Sequence, residues 1–318
     1  IGQWAWRDGC YTINGCNCIT SRCGEDNDAL STKMKRIKGQ AQFIRGLAYY
    51  NLVNYYQTPM LITSYEDYSS LDKLYGTNAT YDEVLDQIEK DFSEAMTLLP
   101  SRDEGGEWAK GRATCGAAAG YYARTLMQRH KFSEALTVLK AIINKQYGTY
   151  KLMANYGDNF REGAAYENND ASLFEIQYLD TGSQGVDDEW TPVNTSPNAT
   201  QGHAIESNFC PGNYGGWADL SASPWLYNLF KAERTKSGKL DPRLYWTIGT
   251  YEADWEGFEN GNVAYTQPMS SDEEVVTNNI NGGLPIAKWT NFRTNVVDKV
   301  VTGLHCGINL RLMRYSDV

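Results

Sequence analysis

Apolar side chains in the first half of the chain recur at steps of three and four. Over 33–56 the stripe is Met34, Ile37, Ala41, Ile44, Ala48 and Leu52, one face of a helix. Thr58-Pro59 predicts its end, because the residue before a proline is pushed out of the α region. Over 80–99 both end signals are present: Thr80 with Glu83 makes a capping box and Pro100 is a stop. Tyr81, Val84, Leu85, Ile88, Phe92, Ala95, Met96 and Leu99 form the buried stripe between them. A third helix is predicted over 112–130, dense in small residues between Ala113 and Ala123. Interior glycines cost up to about 1 kcal/mol each against alanine, so Gly116, Gly120 and the adjoining Ala117 predict close approach of a neighbouring helix. A fourth helix is predicted over 132–144, with Phe132, Ala135, Leu136, Leu139, Ile142 and Ile143 inward. The last two make a helix-turn-helix of about 33 residues in which Gly120 and Ala135 take tetratricopeptide-like positions. Such pairs bury their stripes only by stacking on one another.

After residue 150 the pattern changes. Over 171–179, Phe174, Ile176 and Tyr178 alternate with Glu175 and Gln177, which predicts a strand with the first three on one side. Residues 181–224 hold six Gly and four Pro among Trp190, Tyr214 and Trp217. Pro224 to Phe230 starts a short helix, and Asp241-Pro242-Arg243-Leu244 leads into a second irregular stretch with Trp246, Tyr251, Trp255, Phe258 and Tyr265. Trp225 and Trp246 lie beside helix or strand patterns and are expected in the core. Residues 304–318 read as a strand or extended entry into a new helix. Long loops in compact domains are usually functional or disordered, and the aromatic content here favours function. The expected fold class is mainly α, a tetratricopeptide-like helical repeat scaffold (an α-α superhelix) with a loop-rich irregular region containing short strands. The expected divisions are 1–150 for the scaffold and 151–318 for the loop-rich part of the same fold.

Composition narrows the function. The 318 residues are 42% hydrophobic and 21% charged, enough for a real core without staples. No run of 18 apolar residues predicts a membrane-spanning helix. A net charge of −10 argues against a phosphate-neutralising nucleic-acid binder. Four of the seven Cys fall within the first 23 residues, without the paired C-x2-C spacing of zinc sites; they read as helix-face or loop thiols with at most one disulfide. Asp26, Asn27 and Asp28 lack the EF-hand spacing for calcium. The three His, at 130, 203 and 305, are far apart, and no metalloprotease, nucleophile-elbow, P-loop or dinucleotide motif is present. A glycosidase would need two carboxyls ~5–10 Å apart, and acidic loops are usually just solvated. The expectation is no catalysis, no cofactor and no metal site. The chain opens on Ile1 and stops inside an amphipathic element, so it reads as a piece of a longer protein.

Six segments, in order, resemble the SusD/RagB family. They are Gln40-Ala41-Gln42-Phe43-Ile44-Arg45-Gly46-Leu47-Ala48-Tyr49-Tyr50-Asn51-Leu52-Val53, the turn Tyr55-Tyr56-Gln57-Thr58-Pro59-Met60-Leu61, Gly111-Arg112-Ala113-Thr114 with Gly116-Ala117-Ala118, Glu175-Ile176-Gln177-Tyr178, Asp241-Pro242-Arg243-Leu244, and the closing Leu310-Arg311-Leu312-Met313-Arg314-Tyr315-Ser316-Asp317-Val318. The resemblance implies a Bacteroidetes surface lipoprotein. Such a protein captures a glycan or oligosaccharide without catalysis and delivers it to a SusC-like TonB-dependent transporter. It would be held at the outer membrane by an N-terminal lipid anchor that is not within this sequence. The Cys-rich start departs from the family pattern. The same fold binding peptides, or a plain helical-repeat scaffold for a protein partner, are the other readings.

A sugar ring offers C–H faces to aromatic rings and hydroxyls to fixed polar partners, so its site needs aromatic side chains on loops held by a rigid frame. Segments 181–224 and 244–287 fit that description. They contain no Lys or Arg and together carry twelve Asp and Glu, a surface that repels anions and suits a neutral glycan. Trp190, Trp217 and Trp255, with Tyr214, are the candidate ligand-binding residues. Trp108, in the polar loop 101–110, is the next candidate.

Overall fold

The computed structural model describes residues 2–179, 202–210, 216, 217, 219–249, 284, 286–290 and 306–318. The chain divides into two compact units: Ile1–Leu152 with Asp170–Glu175 and Arg311–Val318, and Met153–Asn169 with Ile176–Leu310.

The first unit is a stack of helices. α1 (Gly2–Cys23) precedes the helices that the apolar pattern predicts. It turns Ile13, Cys16, Asn17, Thr20 and Cys23 inward, a face too polar to read as a stripe. α2 (Thr32–Tyr56) starts at Ser31, whose hydroxyl accepts from the Met34 N–H. A single turn, α3 (Leu71–Leu74), lies in the connection to α4 (Tyr81–Leu98), where the Thr80–Glu83 capping box forms as predicted. α5 (Cys115–Gln128) is capped by Thr114, and α6 (Phe132–Ile143) follows after three residues. Along the series α1, α2, α4, α5, α6, each long helix packs on the one before it.

The core of this unit is aromatic. Phe43 is fully buried and meets Phe92, Tyr121 and Phe174 at ring-centroid distances of 5.7, 5.8 and 4.8 Å, pairs worth about 0.5–1.5 kcal/mol each beyond area burial. Below it, Arg45 holds Asp91 through Nη2 at 2.6 Å and Nε at 2.9 Å, and its Nη1 reaches Asn17 Oδ1 at 2.8 Å and the Thr63 carbonyl at 3.0 Å. One guanidinium therefore joins α1, α2, α4 and the 60s loop.

Glycines set the helix spacing, though at different places from those predicted. A Cβ on Gly39 would lie 3.0 Å from Leu98 and Leu99, and one on Gly46 would lie 3.0 Å from Phe92, so α2 and α4 approach closely there. Gly120 faces Leu173 and Met313 instead. These side chains come from β1 (Ser172–Ile176) and β2 (Leu310–Arg314), which pair as a two-stranded sheet. The neighbour of Gly120 is thus a strand pair and not a helix. Ala117 is fully buried in the core.

Three burial patterns depart from the sequence reading. On α2, Ile37 is exposed while Lys38, Gln42 and Arg45 are buried, because polar partners wait for them there. On α6, Ala135 and Ile142 are buried while Phe132, Leu136 and Ile143 are exposed. The strand does not alternate as predicted either: Glu175 is buried against Arg311 at 3.1 Å, and Ile176 is exposed. A paired charge replaces the expected apolar row.

In the second unit, α7 (Ile205–Phe209), α8 (Pro224–Ala232) and α9 (Pro242–Thr247) are short. Ala222, Tyr227, Leu240, Leu244, Ile248 and Leu284 form its small apolar core. Trp246 is buried as expected, packed over Gly157, where any Cβ would collide with the indole. Among the described residues no helix is long and apolar enough to cross a membrane.

Candidate functional site

Of the predicted ligand-binding residues, Trp217 is described, and Trp190, Trp255 and Tyr214 lie outside the described residues. The support for Trp217 is built from His203 outward. His203 is buried; its Nδ1 accepts from the Ile205 N–H at 3.1 Å, which leaves Nε2 as the donor to the Ile308 carbonyl at 2.8 Å. The ring is therefore the neutral Nε2–H tautomer. Burial lowers its pKa, with the Ile308 bond opposing. Tyr178 meets the same ring edge-on at 4.5 Å.

This anchored ring sets the entry to α7, and the following chain is tied to that helix. The Trp217 N–H donates to the Ser207 carbonyl at 2.6 Å, and the Leu220 N–H donates to the Asn208 carbonyl at 3.0 Å. Gly216 passes so close to the Cys210 carbonyl that a Cβ would collide with it. The backbone is held on both sides of an indole that is itself 40% exposed. A partly exposed ring fixed at its root suits stacking on the apolar face of a ligand. Asp219 beside it is exposed and supplies a hydrogen-bond acceptor.

Two tryptophans depart from expectation. Trp108, the next candidate, is buried at 8% exposure, with the guanidiniums of Arg36 and Arg112 5.3 and 5.5 Å from its ring centroid. It is a structural residue, held by cation–π contacts. Trp225, expected in the core, is 70% exposed on α8 with Leu229 exposed one turn on. Leu226, Tyr227 and Phe230 face the small core instead. The signal lay in the sequence: 226, 227 and 230 share one helical face, and 225 and 229 share another.

The acidic loops are not uniformly solvated either, since Glu206 is buried within α7. Cys10, Cys16, Cys18, Cys23 and Cys115 are free thiols. Burial pushes Cys16 and Cys115 up to about 11, so they stay protonated at neutral pH and are poor nucleophiles. Among the described residues no three His, Cys, Asp or Glu gather as metal ligands. Asn27 Oδ1 accepts from Lys38 Nζ, and Asp26 Oδ1 from the Asp28 N–H, so these acidic-loop groups serve the turn.

Two protein-family models match the chain. Residues 4–127 match the family described as "Starch-binding associating with outer membrane", and residues 171–318 match the SusD family. Among curated proteins, none matches. Solved structures do. A SusD superfamily protein from Bacteroides vulgatus superposes with TM-score 0.69 at 23% identity, over 95% of this chain and 57% of its own. A SusD-like carbohydrate binding protein from Bacteroides fragilis gives 0.71 at 20%, over 98% and 58%. Surface glycan-binding protein A from Bacteroides thetaiotaomicron, in complex with laminarihexaose, gives 0.68 at 19%, over 98% and 62%. The chain spans less than two thirds of the length of these neighbours.

Proposed function

Because this chain belongs to the SusD family, we propose that it is the ligand-holding part of a non-catalytic glycan-capture protein. The observation that carries this reading is the Trp217 indole, rooted by a backbone bond to α7 and partly exposed. Trp190, Trp255 and Tyr214, in the same Lys- and Arg-free segments, and Trp225, exposed on α8, are the further candidate stacking residues. The absence of cations in those segments favours a neutral ligand. The laminarihexaose bound by the B. thetaiotaomicron neighbour makes a neutral glucan the first probe. Residues 1–150 serve as the frame and 151–318 as the ligand-bearing part.

The remainder of the proposal concerns the whole protein. It sits at the outer membrane, as the family description implies, and passes its ligand to a TonB-dependent transporter. A peptide ligand is the alternative outcome of the same test. Each of Trp190, Trp217, Trp225 and Trp255 is replaced by alanine, and the melting temperature and glucan affinity are measured. Loss of affinity with an unchanged melt in the Trp217 variant supports the platform. Early melting, or parental affinity in all four, sends the site elsewhere.

A further inference from the structure

α7 lacks the side chain that ordinarily opens a helix. Its N-cap position is Ala204, which offers no side-chain oxygen to the N–H groups of the turn. The acceptor comes from one residue further back, where His203 Nδ1 takes the Ile205 N–H at 3.1 Å. The other ring nitrogen, Nε2, is committed to the Ile308 carbonyl at 2.8 Å, and the residue is buried. The main chain of His203 is held as well, in a two-way bridge with Cys306.

A ring so placed serves in one protonation state. The Ile308 carbonyl only accepts and the Ile205 N–H only donates, so each fixes the nitrogen that it meets. A second proton would go on Nδ1 and point at the Ile205 N–H, setting two donors against each other where a hydrogen bond now stands. Burial already works against the charged ring. Of the titratable groups around it, Tyr178 stands edge-on at 4.5 Å, Glu162 favours the charged form, Cys306 lies across the bridge and Glu206 is buried in α7. Glu167 accepts from the Asn309 N–H at 3.1 Å, one residue beyond Ile308.

What hangs on α7 is the indole. Its Ser207 carbonyl accepts from the Trp217 N–H and its Asn208 carbonyl from the Leu220 N–H. A five-residue helix is not stable by itself, so the place of those carbonyls rests on burial and on the bond at the helix entry.

We propose that His203 is a positioning residue for Trp217: the neutral ring fixes α7 and with it the indole, and proton uptake on Nδ1 loosens both, so that the protein holds its glycan near neutral pH and releases it in mild acid. The release rests on the reading of Trp217 as a glycan platform, and the test separates the two.

Selective 15N labelling of tryptophan shows nine backbone amides, and Trp217→Phe assigns the one at 217. The His203 ring signals, assigned among three histidines by His203→Asn, are followed in the same samples from about pH 7.5 down to about pH 4.5. The Trp217 amide should shift with the midpoint of the His203 ring, with no glycan present. His203→Asn keeps a side-chain acceptor for the N–H two residues on and has no proton to take up, so its Trp217 amide should stay in place across the range. Laminarin affinity, measured by calorimetry at the same pH values, should fall by up to about tenfold per pH unit below that midpoint in the parent and stay level in His203→Asn. If His203→Asn does not fold, the ring and amide midpoints of the parent decide alone. A Trp217 amide that does not follow the ring, a ring that does not titrate before the chain unfolds, or an equal acid loss of affinity in a folded His203→Asn protein overturns the proposal. Laminarin binding absent at every pH overturns the platform and the release with it, while the amide titration still decides whether His203 positions Trp217.

Discussion

At the residue scale, Trp246 and Trp217 differ in exposure, the first buried and the second 40% exposed. Trp246→Ala should cost about 3–5 kcal/mol, because its indole fills the space over Gly157. Trp217→Ala should stay within about 0.5 kcal/mol of the parent while losing glucan affinity; denaturant melts of the two variants check this. His203 makes a second prediction. Its folded-state pKa is depressed, so the folded protein binds fewer protons than the unfolded chain. Its stabilising contribution is therefore complete above the ordinary histidine value of about 6.5 and is lost as pH falls below it. Protonation would also end the Ile205 N–H bond to Nδ1. Melts from about pH 7.5 down to about pH 5 should show a drop that His203→Gln reduces; an equal drop in both would place the acid sensitivity elsewhere. The buried Trp246 was legible in the sequence, but the His203 anchor was not. Nothing near His203 in sequence announces Ile308, its partner 105 positions away.

At the element scale, what could be read was what is local. The α4 boundaries follow from Thr80, Glu83 and Pro100, the last directly after the C-cap Leu99. α1 was missed because its inward face is Ile13, Cys16, Asn17 and Thr20, half of it polar and satisfied by α2. β1 departs from its predicted alternation for the same reason: Glu175 is buried where Arg311 and Ser172 meet its carboxylate. Polar residues on buried faces defeat apolar periodicity whenever their partners are remote. The Arg45–Asp91 pair shows how much rests on such contacts. Asp91→Ala leaves a buried guanidinium unpaired and should cost about 3–5 kcal/mol, read as a lowered denaturant midpoint. Gly46→Val should cost about 1–3 kcal/mol by overpacking against Phe92. A parental melt for Gly46→Val would mean that α2 and α4 are free to separate there.

At the scale of the whole molecule, the helical unit holds the aromatic core around Phe43, and the second unit carries the exposed Trp217 and Trp225. The family was legible from six short segments, three of which mark structural necessities: the α2 helix with Arg45, the Gly111–Thr114 entry to α5, and the Arg314–Val318 turn closed by Asp317 on the Arg314 N–H. The ligand surface was less legible, because indoles on loops look the same in sequence whether they plug a core, as Trp108 does, or face solvent, as Trp217 does. Binding without turnover predicts that laminarin and starch incubated with the protein release no reducing ends above a protein-free control. The central claim, capture of a neutral glycan by exposed tryptophan, is tested most directly by affinity electrophoresis of the parent and Trp217→Ala proteins through gels containing laminarin, starch, xylan or dextran sulfate. The account predicts that at least one neutral polysaccharide retards the parent, that dextran sulfate does not, and that Trp217→Ala runs freely; retardation by dextran sulfate alone, or by none of the four, would contradict it.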